Sequence, residues 1–309
     1  MLYYAIKCLR VVGTYFFSKR YSKGVRFKLS LHEPRALILD HTSTAVMHLG
    51  DLLFFLDIIW LAHSNGLPVY LVGSSYLKGF FSLFNVKYES SLLNVPPGIV
   101  LTKNDSYLFL KKLDHTLIGF NFWQVKGEGP ISTVLNRHFL EFCKMYFPNL
   151  SFEKPKNSFL DFFKELTFKN RTSYNNESWV VVNSFVNSQR IATFFRQTEF
   201  SNFVRLTKKD ANHIYVSIGS KKDSLVKLNY PIDKDLRGLN SIDDLLHIFI
   251  NNNIERVITF DTFIAHIAIL FNIPTDIFIK SKSKMKITKN RFVPFCESPH
   301  QIKRLITYH

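Results

Sequence analysis

Four short stretches of this chain bring acidic, basic and small polar residues close enough together to do chemistry. His48-Leu49-Gly50-Asp51 stands between a short apolar run and an apolar helical pattern. A carboxylate there either satisfies the free N–H groups of a helix's first turn or takes a proton from an attacking hydroxyl. Phe260-Asp261-Thr262-Phe263-Ile264-Ala265-His266 runs off a strand pattern into a helical one. Asp261 would cap that helix, whose first N–H groups make an anion site, and His266 falls one turn after Thr262 on the same face. A lone helical histidine is otherwise a core residue; after a strand end and a polar helix start it fits a diphosphate cradle. Asn183-Ser184 through Asn187-Ser188-Gln189-Arg190 is either a solvated loop or a clamp in which the planar fork of Arg190 grips a phosphate. In residues 219–223 (GSKKD) Gly219 permits close backbone approach and Asp223 can accept from a ribose hydroxyl, or the segment is an ordinary charged turn.

Other patterns carry less. Asp233-Lys234-Asp235 has the D-x-D form of metal-dependent transferases but reads as part of a Pro-containing polar loop. His32, His41 and His48 are too loosely spaced for a metal site. Cys8, Cys143 and Cys296 match no zinc or disulfide pattern, which fits a reducing compartment. G-x-G-x-x-G, Walker A, G-x-S-x-G and kinase signatures are missing from the sequence.

The elements that must position these residues alternate. Residues 36–39 (ALIL) form a short buried strand, 52–63 a helix ended by Ser64-Asn65-Gly66, and 69–72 (VYLV) the next strand. Strand, helix, strand with short joins is a βαβ unit and implies a parallel sheet. Strands at 98–101 and 116–120 and a helix over 131–146 follow, then a helix over 157–166. The polar stretch 168–178 (FKNRTSYNNES) reads as a linker. The pattern then restarts: strands at 179–183, 214–218, 256–260 and 276–279, helices over 241–251 and 262–271. Two successive α/β halves suggest two Rossmann-like domains.

Composition bounds the partners. Over 309 residues the apolar share is 46%, enough for two packed cores and too much for wholesale disorder. Lys and Arg number 40 against 24 Asp and Glu, a formal charge of +16 that draws the protein to something anionic. Nucleic acid, acidic lipid and phosphorylated substrates all qualify. The aromatics occur mostly in apolar runs such as Phe54-Phe55 and Phe80-Phe81, as core or membrane contacts do, which argues against a surface built for base stacking.

No stretch reaches the roughly 18 uninterrupted apolar residues of a spanning helix. Residues 1–17 (MLYYAIKCLRVVGTYFF) come nearest, but Lys7 and Arg10 interrupt them and the basic flank follows rather than precedes, the reverse of a secretory signal. Two readings stay open. One is a helix packed on the first domain; the other is an in-plane membrane helix with Lys19, Arg20, Lys23, Arg26 and Lys28 near acidic head groups.

Together and in this order, the candidate positions resemble the bacterial ADP-heptose:lipopolysaccharide heptosyltransferases. That family pairs an N-terminal "GD" at its first helix with a C-terminal "DTG-x-x-H-x-A" segment. Here these are Gly50-Asp51 and Asp261-Thr262-Phe263-Ile264-Ala265-His266-Ile267-Ala268. Asp235-Leu236-Arg237-Gly238-Leu239-Asn240-Ser241-Ile242 is similar to the family's approach to its last nucleotide-site helix. Val181-Val182-Asn183 through Arg190, and Ile218-Gly219 with Asp223, are similar to the start of its second domain and its glycine turn.

The resemblance implies an α/β, GT-B fold, two Rossmann-like domains facing a central cleft with the donor held mainly by the second. It also implies metal-independent, inverting transfer, with Asp51 as the base, Arg190 facing the donor phosphate and Asp223 the ribose. Asn183, Ser184, Gly219, Asp261, Thr262, Phe263 and His266 would complete the donor site. Phe263 replaces a family glycine at which a small residue lets the donor approach the backbone. A different donor sugar, a displaced donor or lost activity could each follow.

The expectation is a glycosyltransferase that moves heptose or a related sugar from a nucleotide-sugar donor to a lipopolysaccharide, lipooligosaccharide or other cell-surface glycan. It would work in the cytoplasm, peripheral on the inner face of the bacterial membrane, with no metal or other cofactor and no nucleic acid. Its segments divide as a basic, aromatic 1–30, an acceptor domain 31–167, a linker 168–178 and a donor domain 179–309. A basic nucleic-acid-binding protein and a catalytically inactive glycan-binding relative are the alternatives.

Overall fold

The computed structural model describes residues 19–22, 24–41, 49–73, 75–103, 114–122, 124–125, 127–156, 159–169, 175–184, 193–209, 212–221, 223–239, 241–260, 262–279 and 302–307. The chain divides into two compact units, Met1–Phe159 and Leu160–His309.

The first unit holds one sheet of seven strands: β1 (Lys19–Ser22), β2 (Val25–Lys28), β3 (Leu37–His41), β4 (Val69–Gly73), β5 (Lys87–Glu89), β6 (Ile99–Lys103) and β7 (Thr116–Phe120). Their order is β1-β2-β7-β6-β3-β4-β5. From β7 to β5 every pairing is parallel, with Leu37 between Val69 and Ile99 and Leu39 between Leu71 and Leu101. Strands covered on both faces must be apolar throughout, and β7 (TLIGF) is buried at every position.

The basic flank that follows residues 1–17 is extended where it is described. Lys19, Arg20, Arg26 and Lys28 belong to an antiparallel hairpin that extends the sheet at β7. The reason is a period of two: Val25 and Phe27 are buried while Arg26 and Lys28 are half-buried. Gly24 turns the hairpin at φ +85°, and a Cβ there would meet the backbone N of Val125 at 2.4 Å. Residues 1–18 lie outside the described residues, and among those described no helix is long and apolar enough to cross a membrane.

The helix expected over 52–63 is two helices, α1 (Leu49–Leu53) and α2 (Leu56–Ser64). Between them Phe54 N–H donates to Asp51 O and Phe55 N–H to Leu52 O, a tighter i→i+3 turn. That turn brings both consecutive rings onto Phe122, with centroids 5.2 and 5.8 Å away. Further along come α3 (Lys78–Ser82) and α4 (Ile131–Tyr146), the latter at its expected bounds. Cys143 is buried in α4, and desolvation pushes its thiol up to about 12, leaving it neutral and unreactive.

Helix α5 (Phe159–Lys169) goes with the second unit, where Phe163 packs edge-on against Phe271 at 5.0 Å. The second unit is an all-parallel sheet of β8 (Asn175–Asn183), β9 (Ile214–Ser220), β10 (Lys234–Leu239), β11 (Asn252–Phe260), β12 (Thr275–Ile279) and β13 (Ile302–Thr307). The order is β10-β9-β8-β11-β12-β13. Helices α6 (Thr193–Lys209), α7 (Ile242–Asn251) and α8 (Phe263–Leu270) accompany it. Of the polar stretch 168–178, Phe168 and Lys169 finish α5 and 175–178 open β8, a strand longer than the apolar WVVVN core suggested. Likewise Lys234 and Asp235 lie in β10 rather than in a loop. Asp233 just before them takes hydrogen bonds from Lys208 Nζ (2.6 Å) and Tyr215 N–H (2.8 Å), which hold its carboxyl below the usual range against the opposing effect of burial.

The second core centres on Phe200, whose ring stacks on Phe260 at 4.9 Å and tilts against Phe278 at 5.0 Å. Below it, Arg256 pairs through Nε with the fully buried carboxylate of Asp276 at 2.5 Å and lies over the Phe203 ring.

In the first unit His115 is a buried imidazole with both nitrogens engaged: Nδ1 accepts from Gly98 N–H (3.1 Å) and Nε2 lies 3.3 Å from Leu92 O. Burial lowers its pKa, against smaller opposing effects of Leu92 O and Asp114. A depressed folded-state pKa means the unfolded chain takes up the proton first, so His115 contributes full stability above pH ~6.5 and loses it as pH falls. His115→Asn keeps an acceptor for Gly98 and removes the titration. Chemical denaturation between pH 7 and 5 should show a shallower slope for the variant, by up to about 1.4 kcal/mol per pH unit.

Candidate functional site

The carboxyl edge of a parallel sheet is where strand ends and helix starts leave backbone groups for a ligand. In the second unit that edge is tied together by side chains. Asn183, at the end of β8, donates through Nδ2 to Ile218 O on β9 (3.0 Å) and accepts through Oδ1 from Thr259 Oγ1 on β11 (3.3 Å). Thr259 Oγ1 also lies 3.2 Å from Thr262 Oγ1, at the start of α8. Three neighbouring strand ends and a helix start are thus fastened through one amide, and Asn183 is only 4% exposed.

Ser184 follows Asn183 and accepts a hydrogen bond from the hydroxyl of Tyr230 at 3.0 Å. Burial pushes the Tyr230 phenol up, and the bonds to Ser184 and Ser217 oppose it, so the ring stays a neutral donor at physiological pH. A shallow hollow of about 250 Å³, counted with its open solvent, lies beside Ser184 and is lined by Phe200, Ser201, Lys227 and Tyr230 among others.

Gly219 and Asp223 meet in the turn after β9. Asp223 Oδ2 accepts from Ser220 N–H (2.6 Å) and Ser220 Oγ (2.8 Å), closing the turn after β9. A Cβ at Gly219 would stand 2.9 Å from Asp223 Cβ and Oδ2, so only glycine lets the carboxylate lie against the strand end.

At α8, Thr262 is the N-cap residue with extended backbone (φ −136°, ψ 173°) and makes no side-chain cap bond, its hydroxyl being turned to Thr259. Phe263 opens the helix half-buried, and His266, one turn on, is 8% exposed. Asp261 and Arg190 lie outside the described residues, as do His48 and the run 187–189. In the first unit Asp51 occupies the first turn of α1, half-buried.

Several residues at these edges escaped the sequence reading. Asp40, at the end of β3, is a fully buried carboxylate next to the edge that bears Asp51. Thr259 and Tyr230 do the tying described above. Arg237 on β10 donates to Asp235, whose carboxyl it holds below the usual range, and to the backbone of the Asp223 turn. Its signal was present: Asp235 and Arg237, two apart on a strand, share one face.

Solved structures resemble this chain as a whole. E. coli heptosyltransferase WaaC with ADP matches at a TM-score of 0.51 and 11% identity, over 80% of this chain and 88% of that one. The same enzyme with ADP-2-deoxy-2-fluoro heptose gives 0.53 at 10% identity, over 89% and 93%. The glycosyl transferase family 9 structure from Veillonella parvula DSM 2008 gives 0.51 at 12% identity, over 91% and 89%. No protein-family model matches the sequence, and no curated protein does. At these identities the likeness is one of fold, and the chain has the GT-B fold of the heptosyltransferases. The resemblance read from the two terminal motifs and the likeness of the structures point to the same fold.

Gly219→Ala should push the Asp223 turn off β9. Overpacking of this kind costs about 1–3 kcal/mol, and a thermal melt should register it. A melt unchanged from that of the original protein would mean the turn adjusts freely.

Proposed function

We propose that the protein is a glycosyltransferase, transferring heptose or a related sugar from a nucleoside-diphosphate sugar to an anionic cell-surface glycan or glycolipid. The observation that carries this reading is the ordered carboxyl edge of the second sheet. Ser184, the Gly219–Asp223 turn and the Thr262 start of α8 stand there on adjoining strand ends, in a fold whose solved relatives include one with ADP and one with an ADP-heptose analogue.

In the proposed reaction Asp51 takes the proton of the acceptor hydroxyl as its oxygen attacks the anomeric carbon. The bond from that carbon to the diphosphate oxygen breaks, and the anomeric configuration inverts. The departing diphosphate carries the negative charge. Arg190 and the first N–H groups of α8 stabilise it, with His266 on the same helix, so charge neutralisation is assigned to the protein itself without a metal. Asp223 faces the ribose. Phe263 puts a ring where the resembling family has glycine, at a position where the donor would approach the backbone.

The formal charge of +16 suits this assignment, because donor, acceptor and an acidic membrane face are all anionic. The rings of the apolar runs, Phe54, Phe55, Phe80 and Phe81, are buried and give the competing nucleic-acid reading no stacking surface.

ADP at a hundredfold excess over its Kd should stabilise the protein by about 2.7 kcal/mol, read as a rise in Tm. No rise with any nucleoside diphosphate would refute the donor assignment. Asp51→Asn keeps a polar side chain of the same size in the first turn of α1 but cannot take a proton. It should bind ADP normally and lose about a hundred- to ten-thousandfold in transfer rate. Retention of more than about a tenth of turnover would remove Asp51 as the base.

A further inference from the structure

Arg237 is a cation held almost entirely inside the protein, its side chain 6% exposed. One edge of the guanidinium takes Asp235 in a fork, Nε to Oδ1 at 2.8 Å and Nη2 to Oδ2 at 2.7 Å. The other end turns away from β10. Its Nη1 donates to Asp223 O at 2.8 Å and to Val226 O at 2.5 Å, the two ends of the turn that carries Asp223. The strand is shaped for this reach: Arg237 pairs with Gly219 in register, and a bulge between Arg237 and Leu239 interrupts the ladder just beyond it.

The same turn carries the Asp223 carboxylate. Asp223 Oδ2 is spent on Ser220 N–H and Oγ, whereas no hydrogen bond within the described residues uses Oδ1. The backbone of Asp223 is therefore gripped by Arg237, while one carboxylate oxygen carries no hydrogen bond from the described residues. Lysine could not replace this grip, since a single ammonium lacks the fork that takes a carboxylate with one edge and carbonyls with the other.

We propose that Arg237 is a positioning residue for ribose recognition, fixing the 223–226 turn so that Asp223 Oδ1 meets the ribose hydroxyls of a nucleoside diphosphate. This rests on the donor assignment above. Asp235 is part of the device because it holds the guanidinium in place, its own carboxylate being 42% exposed.

The test is calorimetric titration of the full chain with ADP and with 2′,3′-dideoxy-ADP, which has the same phosphates and base but no hydroxyls for Asp223. The wild type should prefer ADP by about ten- to a hundredfold, the scale of a hydrogen bond to a charged group. Arg237→Lys should cut that preference to about threefold or less while dideoxy-ADP affinity stays within about twofold. If Arg237→Lys fails to fold by circular dichroism, Asp235→Ala decides instead, with an expected loss of at least half the preference. A folded variant that keeps the full preference overturns the proposal, as does a wild type that binds both nucleotides equally. A wild type that binds neither overturns the donor assignment itself, a different failure. Equal weakening toward both nucleotides would mean Arg237 supports the fold only, and would also overturn the proposal.

Discussion

Much of the second unit's geometry depends on the side-chain amide of Asn183. An amide offers a donor and an acceptor at opposite corners, and here each is spent on a different neighbouring strand, Ile218 O on β9 and Thr259 Oγ1 on β11. Parallel strands end without hairpins, so nothing covalent aligns their carboxyl ends. A buried amide that must satisfy both its groups supplies that alignment, because leaving either unpaired costs about 1–3 kcal/mol. Ser184, the β9 turn and the start of α8 inherit their places from it. Asn183 was singled out in the sequence as a ligand contact; its engaged amide makes it the fastening of the loops on either side.

The pattern of strands and helices was legible where one rule acted alone. Fully apolar runs such as TLIGF could only be covered strands, and the amphipathic period over 131–146 gave α4 at its observed bounds. The pattern misleads where two tendencies compete. VRFK alternates over only four residues beside a longer aromatic run, so its strand character was overlooked in favour of a basic flank. Phe54-Phe55 keep helical hydrophobicity through a turn that their shared contact with Phe122 accounts for. Lys234 and Asp235 look like loop residues because their strand is at the sheet's edge, where polar side chains are tolerated.

The candidate site was legible as residue types at strand ends but not as bonds. Gly219 and Asp223 stand out in the sequence as a glycine and a carboxylate after a strand, but not as neighbours in contact. Asp235 and Arg237 looked like part of an approach to a helix, and nothing in their spacing told that the guanidinium would reach back to the carbonyls of residues 223 and 226. That contact needs the register of β10 on β9, a tertiary fact. The same holds for Tyr230, a residue in a polar segment whose hydroxyl ends up buried on Ser184.

The amino-terminal hairpin also sets an order of assembly. Val25 to Lys28 pair with Phe120 to Leu117, 89 to 95 residues further on, with all of β3 to β6 in between. A chain leaving the ribosome therefore exposes this basic ribbon long before its partner strand exists. The five parallel strands can collapse among themselves, but the hairpin has nothing to dock on until β7 has emerged. Its alternation of buried Val25 and Phe27 with Arg26 and Lys28 suits that interval. Two positive charges on so short a strand discourage it from pairing with another nascent copy while it waits.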